Sequence, residues 1–109
     1  MKFGPHSLLS IQIQAKNLPK PNHEFRFDSK RKWRLDVAWP AHKLGVEIHG
    51  GVFRFGRHTR GAGFTADREK MNAATEAGWQ VYEYTTAQIE SGAAIRQLER
   101  VFKAMRIAA

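Results

Sequence analysis

The chain has 109 residues, room for one core but not two, and 42% apolar content with 11% aromatic residues excludes a disordered polymer. No run approaches the roughly 18 apolar residues of a membrane span. The broken apolar stretch at the start lacks a small-residue cleavage site, so neither a membrane protein nor a signal peptide is expected. Cysteine is absent, which excludes disulfides, thiolate zinc sites and cysteine nucleophiles and suits a reducing, cytoplasmic location. Eighteen Lys and Arg against ten Asp and Glu give +8 and a pI near 10.3, a balance that favours a polyanionic partner, nucleic acid first, over solubility alone.

In chain order, Ser7 to Lys16 fits a strand through the alternation of Leu9, Ile11 and Ile13, and a helix through Leu8, Leu9 and Ile13. Asn17-Leu18-Pro19-Lys20-Pro21-Asn22 is a loop, since two prolines in three residues continue neither a helix nor a central strand. Glu24 to Asp28 reads as a short strand. Lys32 to Trp39 is a clearer one, with Trp33, Leu35, Val37 and Trp39 alternating with polar or small residues. Lys43 to His49 repeats the pattern with Leu44, Val46 and Ile48, which makes Pro40-Ala41-His42-Lys43 the turn between them. The glycine-rich stretch from Gly50 to Gly63 reads as a long loop. Thr65 or Asp67 then caps a helix to about Ala77, and Gly78 stops it. Trp79 to Tyr84 is a further strand, and Ala93 to about Ile107 a helix with Ile95, Leu98, Phe102 and Met105 on one stripe. The order is a helix, three strands able to form a meander, a helix, a strand and a helix. Residues 1–109 thus read as one α/β domain on a mixed sheet.

The hairpin carries the first chemical signal. Both apolar sets should face one core, which pairs Trp39 with Leu44, Val37 with Val46 and Leu35 with Ile48. Asp36 then falls directly opposite Glu47, with β-carbons roughly 5 Å apart. Like charges in that position destabilise a sheet unless something offsets them. A divalent cation does so, since Mg²⁺ takes hard oxygen ligands and often only one or two carboxylates. Pairing with Arg34, Lys43 or another basic side chain, or a register one residue different, are the alternatives.

Beyond Glu47 comes His49-Gly50-Gly51, then Gly56-Arg57-His58-Thr59-Arg60-Gly61-Ala62-Gly63. Glycine lets a backbone approach phosphate closely, and the guanidinium groups of Arg54, Arg57 and Arg60 fit phosphate oxygens in a fork. With Arg31, Lys32 and Arg34 ahead of the acidic pair, these form the candidate DNA-binding set. His58 suits proton transfer if Asp67 orients it. Lys70 lies one helical turn beyond Asp67 on the same face.

Asp36 followed by Glu47-Ile48-His49 is similar to the acidic motif of the PD-(D/E)XK nuclease superfamily, in which paired strands carry an Asp and an acid-x-Lys triplet. More closely, the chain resembles the very-short-patch repair endonucleases and their phage and bacterial relatives. The resemblance runs through Trp33-Arg34-Leu35-Asp36, Val46-Glu47-Ile48-His49-Gly50-Gly51, Gly56-Arg57-His58, Asp67-Arg68-Glu69-Lys70 and Gly78-Trp79-Gln80-Val81, within residues 23 to 90. It implies a restriction-endonuclease-like αβββαβ core with helices flanking a mixed central sheet. It also implies Mg²⁺ or Mn²⁺ as cofactor, and hydrolysis of a DNA phosphodiester. Asp36 would be the central metal ligand, Glu47 the second acid, and the Ile48 carbonyl the remaining protein ligand. His49 follows the strand as a histidine does in the repair enzymes, and Asp67 matches their helix aspartate, which supports a catalytic histidine. Three departures stand out. The triplet ends in His49 where the superfamily has Lys, which leaves His49, His58 and Lys70 as candidates to polarise the attacking water. Ser7 to Lys16 lacks the first-helix acid, and the repair enzymes' zinc cannot be built without cysteine.

A nicking or structure-selective DNA endonuclease is the first reading. A Holliday-junction resolvase of the same superfamily is second and requires a homodimer; a catalytically inactive DNA-binding module is third. RNA binding comes last, because Phe25, Phe27, Phe53 and Phe55 form no RNA-recognition signature.

Overall fold

The computed structural model describes residues 3–50 and 61–108. The first segment resolves as a helix, α1 (Pro5–Ala15). Leu9 and Ile13, four apart, are buried while Ile11 is exposed, so the helical period prevails over the alternation. Asn17 ends it in the left-handed region (φ 56°), its N–H donating to the Gln14 carbonyl and that of Leu18 to the Ile13 carbonyl. This is the Schellman arrangement, which asparagine tolerates.

Strands β1 (Asn22–Arg26), β2 (Arg34–Trp39) and β3 (Leu44–His49) form an antiparallel meander. β1 stops two residues short of the expected Asp28. The Asp28 carboxylate instead accepts the N–H groups of Lys30 (2.7 Å) and Arg31 (2.8 Å) and shapes the turn into β2. A 3-10 turn (Pro40–His42) with Lys43 left-handed (φ 52°) closes the next hairpin. Helix α2 (Gly61–Glu76) crosses over to β4 (Gln80–Thr85), which runs parallel to β3, and the sheet order is β1-β2-β3-β4. Helices α3 (Thr86–Glu90) and α4 (Ala93–Ala108) follow β4.

Two expectations fail along α2 and β4. Thr65 and Asp67 lie inside α2 rather than at its cap, and Gly61-Ala62-Gly63 is helical, not loop. Glycine lowers helix stability by about 1 kcal/mol relative to alanine without forbidding the helix. α3 was not expected, although its start carries a capping box in which Thr85 Oγ1 accepts from Gln88 N–H and Gln88 Oε1 from Thr85 N–H. Gly78 behaves as expected: at φ 92° it ends α2, and Trp79 folds back onto Ala74 through an N–H to carbonyl bond of 2.9 Å.

The sheet has unequal faces. Val37, Trp39, Leu44, Val46, Ile48 and Tyr84 pack against Leu9 and Ile13 of α1, Ile89 of α3, and Ala94, Ile95, Leu98 and Phe102 of α4. The opposite face holds a smaller cluster of Leu35, Ala38, Ala74 and Trp79 under α2, flanked by Phe25 and Phe27. Among the described residues no helix is long and apolar enough to cross a membrane.

Candidate active site

The hairpin register is the expected one where its ladder is regular: Val37 pairs with Val46, Ala38 with Gly45 and Trp39 with Leu44. The expected Leu35–Ile48 pair does not share a core. Leu35 packs with Ala38 on the α2 face, although Val37, two residues on, packs on the other. The alternation therefore breaks at Asp36. Gly45 makes room for this, because a β-carbon there would stand 2.6 Å from Leu35 Cδ1. The β1 backbone departs at the matching place. Glu24, between the pairs His23–Val37 and Phe25–Leu35, has φ 50°, a conformation that costs a non-glycine residue about 1 kcal/mol or more.

Continuing these registers, Glu24 lies opposite Asp36, Asp36 opposite Glu47, and Glu47 opposite Glu83 in the β3–β4 ladder. A row of four carboxylates crosses the sheet. The inner two replace the missing ladder bonds. Asp36 N–H donates to Glu47 Oε2 at 3.0 Å, and Ile48 N–H donates to Asp36 Oδ2 at 2.7 Å. Each acid thereby satisfies a backbone donor on the neighbouring strand.

Among the described residues, three basic groups meet the row. Lys70, on α2, donates to Glu47 Oε1 at 2.6 Å with both side chains largely buried. His6, in the first turn of α1, places Nε2 3.7 Å from Asp36 Oδ1. His49 Nε2 lies 2.9 Å from Glu83 Oε1. Glu47 is 6% exposed, and burial pushes its carboxyl above the usual carboxylate range. The Asp36 charge adds a smaller push the same way, and the Lys70 ammonium opposes both without cancelling them.

Among the described residues, one imidazole and two carboxylates converge: ligand atoms of His6, Glu24 and Asp36 all lie within 4.8 Å of one another. A nitrogen and two carboxylate oxygens from three elements suit a divalent cation. Glu47 stands beside this set with its oxygens already occupied by Lys70 and the Asp36 N–H. The Ile48 group that reaches the acids is its N–H.

Of the other residues singled out by sequence, Asp67 is half-buried on α2, ion-paired with Arg68, whose guanidinium lies 5.3 Å from the Phe64 ring. Arg31 is exposed and stacks 4.6 Å over Trp33. Lys32 and Arg34 are exposed at the start of β2, with Arg34 opposite Arg26. Arg54, Arg57, His58 and Arg60 lie outside the described residues. His6, Glu24 and Glu83 were not anticipated. For Glu24 the register alone could have done so, because extending the β1–β2 ladder places it across from Asp36. His6 depends on how α1 docks, which no local signal records.

The architecture of the described residues is a mixed α/β fold of the restriction-endonuclease-like kind, with a four-stranded mixed sheet flanked by helices. Among solved structures, it is similar to the catalytic domain of the homing endonuclease I-Bth0305I. The TM-score is 0.68 at 13% identity, covering 97% of this chain and 99% of that one. At that identity the likeness establishes a shared fold. No family model matches the sequence, and no curated protein does.

Proposed function

We propose that this chain is a metal-dependent DNA endonuclease that hydrolyses phosphodiester bonds, one strand at a time. The observation that carries the reading is the joining of Asp36 to two donor sets at once: His6 and Glu24 on one side, Glu47 with Lys70 on the other. This happens on a fold shared with an endonuclease catalytic domain. His6, Glu24 and Asp36 would hold the cation, with Mn²⁺ ahead of Mg²⁺ because imidazole is a poor partner for the harder ion. A divalent cation supplies Lewis acidity toward a phosphoryl oxygen and acidifies water.

The chain's own residues do the rest. Lys70 holds an ammonium against Glu47, where it can hydrogen-bond water or a phosphate oxygen, in the role the superfamily gives the triplet lysine. His49 supplies an imidazole that can take up or release a proton. Arg31, Lys32 and Arg34 supply positive charge beside the acidic row, and Arg26 opposite Arg34 makes that edge attractive to phosphate. A single acidic centre attacks a single phosphodiester, which makes nicking the expected outcome of one chain.

The test is incubation of the pure chain with supercoiled plasmid and with nicked, mismatched and branched duplexes, in Mn²⁺, Mg²⁺ or EDTA. Conversion of supercoiled to open circle with metal, none in EDTA and none by Asp36→Asn is expected. Full cleavage in EDTA or by Asp36→Asn overturns the metal mechanism. DNA binding without cutting under every condition turns the chain into a DNA-binding module.

A further inference from the structure

The acidic row has a fourth member that the reading above leaves unused. β3 and β4 run parallel with Glu47 opposite Glu83 and His49 opposite Thr85. Glu83 is therefore the diagonal neighbour of His49. Tyr84 on β4, like Leu44, Val46 and Ile48 on β3, packs into the core shared with α1 and α4. By alternation Glu47, His49 and Glu83 share the opposite face, the one that carries α2 and Lys70. His49 Nε2 stands 2.9 Å from Glu83 Oε1, and both side chains remain partly open to solvent.

We propose that Glu83 is the positioning residue for His49, holding the imidazole so that its other nitrogen, Nδ1, accepts a proton from the water whose oxygen bonds to phosphorus, while the P–O bond to the departing sugar oxygen breaks and that oxygen takes a proton from solvent. The inference rests on the nuclease reading. An ionised carboxylate only accepts hydrogen bonds, so the contact places the ring hydrogen on Nε2 and, in the neutral imidazole, the lone pair on Nδ1. The same carboxylate stabilises the imidazolium that forms when Nδ1 takes up a proton. His49 is two residues along the strand from Glu47, about 6.6 Å at the usual rise, so the ring borders the acidic pair. Among the described residues, Asp67 pairs with its neighbour Arg68. The carboxylate that reaches His49 comes from β4.

An ordinary surface ion pair across two strands would contribute little and would leave turnover untouched. The discriminating experiment is a double-mutant cycle on the full chain in Mn²⁺, with plasmid nicking measured below and above saturation. Alongside it, ¹⁵N spectra of histidine-labelled protein are recorded at alkaline pH without DNA or metal. Glu83→Ala should lower kcat at least about tenfold, since the carboxylate behind a metal-bound histidine is worth about tenfold to a hundredfold and that behind a proton-accepting one more, with KM within about twofold. Glu83→Gln keeps an acceptor and should lose less. His49→Ala with Glu83→Ala should be no slower than His49→Ala alone, because the carboxylate acts only through the ring. The wild-type spectrum should show His49 in one tautomer, and Glu83→Ala a mixture. If Glu83→Ala turns over like the wild type, or the two losses multiply, or the tautomer is unchanged, the inference is wrong. A wild type that cuts no DNA defeats the nuclease reading instead, and the two failures are thereby told apart.

Discussion

The two ends of the β2–β3 hairpin are built from different materials. At the turn end, Trp39 and Leu44 face each other in a regular ladder, nearly inaccessible to water, with the Trp39 indole N–H on the Pro19 carbonyl at 2.6 Å and its ring edge-on to Phe102. At the open end the ladder gives way, and Asp36 and Glu47 each bond the other strand's backbone while their charges repel. The first end gains from burial, about 1.5–3 kcal/mol for each such side chain. The second carries a buried carboxylate, a broken alternation and, across β1, a left-handed glutamate. Costs of this kind gather at functional sites and persist because the surrounding structure holds them. The hairpin thus stores stability at one end and spends part of it at the other.

If that division is right, substitutions at the two ends should fail in different assays. The largest effect belongs to the open end: Asp36→Asn should abolish nicking while leaving the melting temperature within a few degrees. Next, Leu44→Ala at the turn end should cost about 2–5 kcal/mol of stability. Nicking per folded molecule should be retained at low temperature. A Leu44→Ala protein that is fully folded yet inactive would erase the comparison.

A smaller effect concerns the basic edge. Replacing Lys32 and Arg34 by alanine should flatten the dependence of DNA affinity on salt, by about 0.9 in the log–log slope for each phosphate no longer neutralised. An unchanged slope would place the DNA elsewhere.

The smallest effect is the most diagnostic of the buried acid. Burial holds Glu47 above the usual carboxylate range, so the folded state binds this proton more tightly than the unfolded chain does. The stability that its protonation contributes is present below about pH 4.5 and is lost as pH rises through the folded-state value. In EDTA, the stability of Glu47→Gln relative to the wild type should therefore increase as pH is raised from 4 to 7. A relative stability that falls over that range would show that Lys70 more than offsets the burial.

Much of the turn end was legible in the sequence, because alternation and apolar matching are local and strong. Val37–Val46, Trp39–Leu44, the helix stop at Gly78 and the α4 stripe of Ile95, Leu98 and Phe102 follow from pattern alone. The opposition of Asp36 and Glu47 followed from the same register. Leu35 broke the rule because Gly45 opened a hollow on the opposite face, a packing event invisible in hydrophobic period. α3 was missed although Thr85-x-x-Gln88 announces it, since five residues offer no periodicity to read. The site was half legible for a related reason. The sequence between Ser7 and Lys16 offers no acid, while the α1 residue that meets Asp36 is His6, one position earlier and of another chemical type.

The most direct measurement is calorimetric titration of the DNA-free chain with Mn²⁺, because it examines the open end without requiring turnover. One cation should bind per chain, Mn²⁺ more tightly than Mg²⁺. His6→Ala and Glu24→Gln should each weaken Mn²⁺ at least about tenfold, His6→Ala should narrow its advantage over Mg²⁺, and Asp36→Asn should abolish binding. Mn²⁺ affinity equal to wild type in all three variants would contradict the account.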